Sequence, residues 1–247
     1  LKTVKELLRA DGWNEWADVE TDQKKKLPAP PIVKPFPEDA EYIDLIKPQN
    51  LDIGKMPLKE AIGMRRSHRK YSNNSLTLEE LSFLLWVTQG IQEIKNSGSN
   101  LRTVPSGGAR HSFDTYLAVF RVNGLEQGLY RYSPLNHKLA RVDSDVPLTK
   151  KAVRDACRGQ TFASKAAVVF FWTTIPYRMF WRYERVTAKI IAQDAGHMCQ
   201  NLYLACTSIG AGTCAIGAYE QNLADQLVGV DGKDEFVVYV APVGKVS

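Results

Sequence analysis

Residues 184–209 read Glu-Arg-Val-Thr-Ala-Lys-Ile-Ile-Ala-Gln-Asp-Ala-Gly-His-Met-Cys-Gln-Asn-Leu-Tyr-Leu-Ala-Cys-Thr-Ser-Ile, and Gly210 follows. Val186, Ile190, Ile191, Met198, Leu202 and Ala205 fall among the apolar positions of one helical face, and Gly210 supplies a C-terminal stop. Such a helix spans about 39 Å at 1.5 Å rise per residue, long enough to be the spine of a domain. Ala195 and Gly196 lower the bulk at its middle. A helical glycine costs about 1 kcal/mol, so its presence here predicts the close approach of another helix.

Working outward, residues 166–172 are Ala-Ala-Val-Val-Phe-Phe-Trp, the composition of a strand buried on both faces. Upstream, residues 115–122, 128–132 and 138–142 read as strands joined by Asn123-Gly124 and by Ser133-Pro134-Leu135-Asn136, an antiparallel meander. Residues 58–64 read as a helix. Thr77 and Glu80 form a capping-box signature ahead of Leu81, Leu84, Leu85 and Val87, in a helix that stops near Gly90. Residues 147–157 and 220–227 add two further helices. A short strand is predicted over 211–216, and a final one over 235–240 before Ala241-Pro242-Val243-Gly244-Lys245.

The first 54 residues have a different character. Residues 3–16 suit a short amphipathic helix despite Gly12, and residues 24–37 are too rich in proline for helix or central strand. This predicts two parts: an extension over residues 1–54 that packs across a neighbour, and a folded domain over residues 55–247.

A chain of 247 residues with a net charge of +5 spread along its length does not indicate nucleic-acid binding. Cys157, Cys199, Cys206 and Cys214 show no metal-ligand spacing and read as reduced thiols within a cell, with no metal expected. No secretory signal is evident, and the longest apolar run, residues 166–172, is too short to cross a bilayer. The expectation is a soluble cytoplasmic protein without a membrane partner.

Two windows lack acids. Residues 61–78 carry Arg65, Arg66, Arg69 and Lys70 around Ser67, the residue types that hold phosphate through planar forks and a neutral hydroxyl. Residues 94–113 include Pro105, Ser106, Gly107, Gly108, Ala109, Arg110 and His111, a low-bulk loop that lets backbone lie against a flat ligand. Arginine runs are more often solvated surface, and neither window is a Rossmann or P-loop fingerprint. Together they point to a phosphate-bearing cofactor.

In order along the chain, several patterns resemble the FMN-dependent nitroreductase superfamily, in its SagB-type dehydrogenase branch, related to enzymes that oxidise azolines in modified peptides. Arg65-Arg66-Ser67-His68-Arg69 resembles the N-terminal FMN motif, and residues 105–111 resemble the flavin-facing loop. Gly128-Leu129-Tyr130-Arg131-Tyr132, residues 194–202 and residues 210–219 match further patterns, so the resemblance covers residues 58–245.

The resemblance implies a nitroreductase-like α+β fold: a central, mostly antiparallel sheet flanked by helices, with the long helix at a homodimer interface and FMN sites built from both subunits. It implies that Arg65 and Ser67 hold the phosphate, Arg66 lies along the ribityl end, and Arg69 stands near flavin N1 and O2. Pro105, Ser106, Gly107 and Gly108 present backbone from the second subunit, Ala109 and Arg110 are further cofactor-binding candidates, Ile216, Gly217 and Ala218 line the far side, and Lys245 reaches the phosphate. The implied activity is ping-pong reduction of nitroaromatic or quinone-like acceptors by NAD(P)H.

Azoline-oxidising relatives carry a Lys-Tyr pair here replaced by Arg182-Tyr183, and arginine is a poor base. Tyr183 is nonetheless the catalytic candidate. Tyr177, Phe180, Trp181 and Tyr183 line an acceptor pocket or serve as core. His111 is the histidine expected nearest the cofactor, and His197 an interface residue. Two other readings remain, a SagB-type azoline dehydrogenase acting on a modified peptide and a non-catalytic flavin- or anion-binding module.

Overall fold

Val168–Thr174 is buried at every position and forms β7, an interior strand of the sheet paired on both edges. The computed structural model describes residues 2–16, 18–96 and 99–246; Leu1, Ala17, Ser97, Gly98 and Ser247 lie outside it. Seven strands pair antiparallel in the order β1-β6-β5-β4-β7-β9-β8. They are β1 (Tyr42–Asp44), β4 (Phe113–Val119), β5 (Gly128–Ser133), β6 (Lys138–Arg141), β7, β8 (Ala211–Thr213) and β9 (Phe236–Lys245); β2 (Ile91–Asn96) and β3 (Ser99–Arg102) form a separate hairpin.

Period-two alternation along β7 explains its unbroken apolar run. Val168, Phe170 and Trp172 join a core with Leu81, Leu84 and Leu85 of α4 (Leu78–Gln89) and with Met198 and Leu202 of α7 (Thr187–Ser208). Val169 and Phe171 face the other way, onto Val153 and Ala156 of α5 (Lys150–Ala156) and Leu227 and Val228 of α8 (Gln221–Val228). The result is the expected α+β arrangement with helices on both faces of an antiparallel sheet.

Local signals are realised closely at α3 (Leu58–Met64) and α4. Thr77 Oγ1 accepts from Glu80 N at 3.1 Å while Glu80 Oε2 accepts from Thr77 N at 2.9 Å, and Gly90 ends the helix. The spine is shorter than its periodicity suggests. α6 (Tyr177–Tyr183) ends at Glu184, whose φ of 46° turns the chain into a 3-10 turn before α7, which has 22 residues and spans about 33 Å.

β9 also differs, running on through Pro242. Val240 exchanges both backbone bonds with Ile216, so Pro242, two residues on, faces the same side; the β8 ladder stops at Thr213–Val243. The missing proline N–H therefore falls in a gap between pairings, and its carbonyl accepts from Tyr71 Oη at 3.1 Å.

The extension packs across its own chain. Its first stretch is two short helices, α1 (Lys2–Leu8) and α2 (Gly12–Trp16), in place of one. A Cβ on Gly12 would lie 3.1 Å from Val186 Cγ1. The proline-dense run keeps its carbonyls, and buried arginines use them: Arg102 Nη2 donates to Ile32 O at 2.8 Å and Arg131 Nη2 to Pro35 O at 2.6 Å. β1 then adds the outer strand of the sheet. No helix among the described residues is long and apolar enough to cross a membrane.

Under the 105–111 loop lies a buried polar layer. Asp114 pairs with Arg178 at 3.0 Å, Arg102 donates to Gln89 and Asn100, and His111 Nε2 meets Asn100 O at 3.2 Å. Burial, reinforced by Arg102, pushes His111 from 6.5 down to about 3.

Two stability tests follow from this packing. Thr77→Ala is expected to cost about 1 kcal/mol in urea denaturation, the usual value of a cap. Glu80→Ala should cost more, since Glu80 also holds the half-buried Lys245 ammonium; equal losses would show that this ion pair contributes nothing. For His111, the unfolded chain takes up a proton as pH falls below 6.5 and the folded chain does not until about 3. Stability is therefore full above that window and declines as pH drops through it, by up to about 1.4 kcal/mol per pH unit. His111→Gln should flatten this acid limb by one proton, and an unaltered slope would assign the proton elsewhere.

Candidate functional site

The arginine segment is fixed at both ends. Arg65 caps α3 through its N–H to Ala61 O at 3.0 Å, and Arg66 Nη1 turns back to Gly63 O and Arg65 O at 3.1 and 2.8 Å. Ser67 then bridges Thr213 of β8, and His68 N donates to Thr213 O at 2.9 Å. The segment is laid along a sheet edge rather than left as a loose surface run.

Tyr203 of α7 organises the side chains above it. The Arg65 guanidinium lies 5.5 Å from the Tyr203 ring centroid, Ser67 Oγ is 3.2 Å from Tyr203 Oη, and that oxygen accepts from Ala215 N at 2.9 Å. When Tyr203 donates to Ser67, the serine proton is directed outward to an acceptor. Arg69 lies over Phe162 at 5.8 Å. Among the described residues no carboxylate pairs with Arg65, Arg66, Arg69 or Lys70. Arg65 and Ser67 therefore meet at Tyr203, on a segment that also exposes Arg66, Arg69 and Lys70 without a carboxylate partner among the described residues, and these residue types fit a phosphate group.

Lys245 is placed otherwise: its ammonium is held by Glu80 and donates to Ile209 O at 3.0 Å. Ile216 is buried against Val240 and acts as an anchor. Gly217 and Ala218 beyond it are exposed, and a Cβ on Gly217 would meet nothing within 4 Å.

The loop segment sits at the other end of α7. Asp194 Oδ1 accepts from Gly107 N at 3.3 Å and Ser106 Oγ accepts from His111 N at 2.9 Å. Burial raises the Asp194 carboxyl, opposed by the hydrogen bonds from Ser106 and Gly107. Both glycines are demanded by close approach: a Cβ on Gly107 would lie 2.5 Å from Ile190 Cγ2, and one on Gly108, with φ of 56°, 2.5 Å from Tyr183 Oη. Ala109 also takes a positive φ, of 54°. Arg110 turns inward, donating to Arg178 O at 3.0 Å with its guanidinium 4.8 Å from the Trp181 ring. His111 is buried beneath the loop and supports it from below.

Tyr183 joins this half of the site. It is buried beside Gly108, with Trp13 at 5.8 Å edge-on and Trp16 at 6.3 Å between ring centroids. The predicted aromatic cluster splits: Trp181 packs on Arg110, while Tyr177 and Phe180 face outward.

Tyr203 lies nine residues beyond Asp194, about 13.5 Å along the helix axis. Between them α7 presents Gly196, His197 and Gln200 outward, and a Cβ on Gly196 would meet nothing within 4 Å; Ala195 faces the core. Beside this face α3 exposes Leu58, Ile62 and Met64 at 66, 56 and 55%. Sequence reasoning missed Tyr203 and Trp13, since both follow ordinary helical periodicity.

This geometry has counterparts. The nitroreductase family model matches residues 62–245. A putative nitroreductase of Methanocaldococcus jannaschii is 30% identical over 209 residues, covering 82% of this chain and 98% of that protein. The trifolitoxin-processing protein TfxB of Rhizobium leguminosarum is 26% identical over 166 residues, 64% of this chain and 44% of that protein. A crystal structure of a protein described as a putative nitroreductase, from Anabaena variabilis, superposes with a TM-score of 0.69 at 26% identity, covering 85% of this chain and 42% of that one. With its helix-flanked antiparallel sheet and its ordered motifs, this chain belongs to the nitroreductase family.

Proposed function

We propose that this protein is an FMN-dependent oxidoreductase that takes a hydride from NAD(P)H and passes it to flat, electron-poor acceptors of the nitroaromatic or quinone class. The observation that carries this reading is the patch of Arg65, Arg66, Ser67 and Arg69, whose cations have no carboxylate among the described residues. Bound FMN supplies reversible hydride transfer, so that donor and acceptor use one position in turn.

The chain's own residues bind and orient. Arg65 and Ser67 receive the phosphate, with Tyr203 fixing both of them, and Arg66 lies toward the ribityl end. Arg69 offers positive charge where negative charge accumulates on reduction, which raises the reduction potential. Gly107 and Gly108 keep backbone at the ligand edge, and Ile216 anchors the exposed Gly217 and Ala218. Lys245, held by Glu80, is left out of the phosphate set. We assign the bare face of α7 and the exposed apolar side chains of α3 to a second copy of the chain, whose 105–108 loop completes each site.

A second reading, azoline oxidation on a modified peptide, draws on the similarity to TfxB and on the contact of Tyr183 with Gly108. Arg182 in place of lysine and the covering of Tyr183 by Trp13 and Trp16 favour the first.

Absorbance spectra as isolated, then during anaerobic titration with NADH and NADPH, test the proposal: a yellow dimer bleached by a nicotinamide is expected, and a colourless monomer that takes up no FMN in excess overturns it. Arg65→Ala should weaken FMN binding by about 10- to 100-fold, the scale of a charge-assisted hydrogen bond. Arg69→Ala should lower the flavin potential, and an unchanged potential would remove Arg69 from the ring. Tyr183→Phe should abolish any azoline oxidation while sparing quinone reduction; retention of both would eliminate the second reading.

A further inference from the structure

Arg182 stands out among the cations around the loop. Arg178 is neutralised by Asp114 at 3.0 Å, and Arg110 is tucked over Trp181. Arg182 has no acceptor among the described residues: its Nε is buried without a partner, yet the residue is half-exposed and neither terminal nitrogen is enclosed. Its guanidinium lies 5.4 Å from the Tyr183 ring centroid, and its Nε would be 3.1 Å from a Cβ on Gly108. The fork is therefore held by packing at the loop that the proposed function places against the flavin.

The local field is positive. Burial depresses Arg110, and the nearby Arg182 and Arg178 charges depress it further. A half-exposed cation in such surroundings that lacks a carboxylate is open to an anion from outside. Arginine does not exchange its proton at ordinary pH, so the position reads charge and does not act as a base. Trp13, Trp16 and Tyr183 lie with ring centroids 5.5 to 6.3 Å apart, an aromatic cluster beside the Arg182 guanidinium.

We propose that Arg182 receives a carboxylate on the electron acceptor, which makes the acceptors of this protein flat, electron-poor rings bearing an acidic group. This rests on the oxidoreductase reading and narrows its substrate class. The residue is a specificity determinant beside Gly108 of the loop, distinct in role from the Arg65 phosphate patch.

The test compares 4-nitrobenzoate with 4-nitrobenzyl alcohol, two acceptors of similar ring and different charge. In the FMN-loaded protein kcat/KM should favour the carboxylate, and Arg182→Gln should lower that preference by about tenfold or more, mainly through KM, the scale of one charge-assisted hydrogen bond. Arg182→Lys, which keeps the charge, should restore part of it. Calorimetric binding of 4-nitrobenzoate without any donor should weaken in parallel. Equal use of the two acceptors by the wild type, or an unchanged ratio in Arg182→Gln, overturns the proposal, as does a loss confined to the KM of the nicotinamide donor. A protein that takes no FMN refutes the oxidoreductase reading instead, and the calorimetric comparison then still decides whether Arg182 binds the carboxylate.

Discussion

The double burial of Val168–Thr174 is the constraint on which the molecule depends. Its side chains alternate between two apolar layers, so the sheet is stable only when helices cover both faces. α7 runs along one of those faces, and both segments of candidate chemistry dock against it, Ser67 through Tyr203 and Gly107 through Asp194. Packing thus fixes the spacing of the site. The same contacts that exclude water from the core hold the candidate groups in place.

Signals that are local were legible. The Thr77–Glu80 capping box, the apolar run of β7 and the stop at Gly210 each depend on a few neighbouring residues, and the fold uses them as read. The break at Glu184 was not legible, because the apolar spacing continues across it. Its positive φ lets Tyr183 sit against Gly108 and the two tryptophans while Ile190 meets Gly107, a tertiary requirement that periodicity does not encode. Pro242 misled for a similar reason: its tolerance in β9 depends on where the facing strand ends.

The candidate site was legible as residue types more than as roles. Arg65 and Ser67 meet at Tyr203, and Gly107 and Gly108 are held against Ile190 and Tyr183, so the structure gives each a definite setting that residue type alone does not. Arg110 and Lys245 carry equal charge, but one lies over Trp181 and the other is paired with Glu80. Sequence shows a charge without showing its counter-charge. Tyr203 was hidden by the opposite effect, since an aromatic on a helix face reads as core until its hydroxyl is seen between Ser67 and Ala215.

The proline-dense extension connects these levels. Proline lacks the N–H that a sheet would require but keeps its carbonyl, and Arg102 and Arg131 donate to carbonyls of this segment from within the domain. The segment so anchored follows α2, whose Trp13 and Trp16 close over Tyr183. The aromatic cover over Tyr183 is therefore supplied by residues outside the family-matched region of 62–245. Because that cover is aromatic and Arg182 beside it keeps its proton at ordinary pH, this corner of the molecule offers shape and fixed charge rather than a group that moves protons.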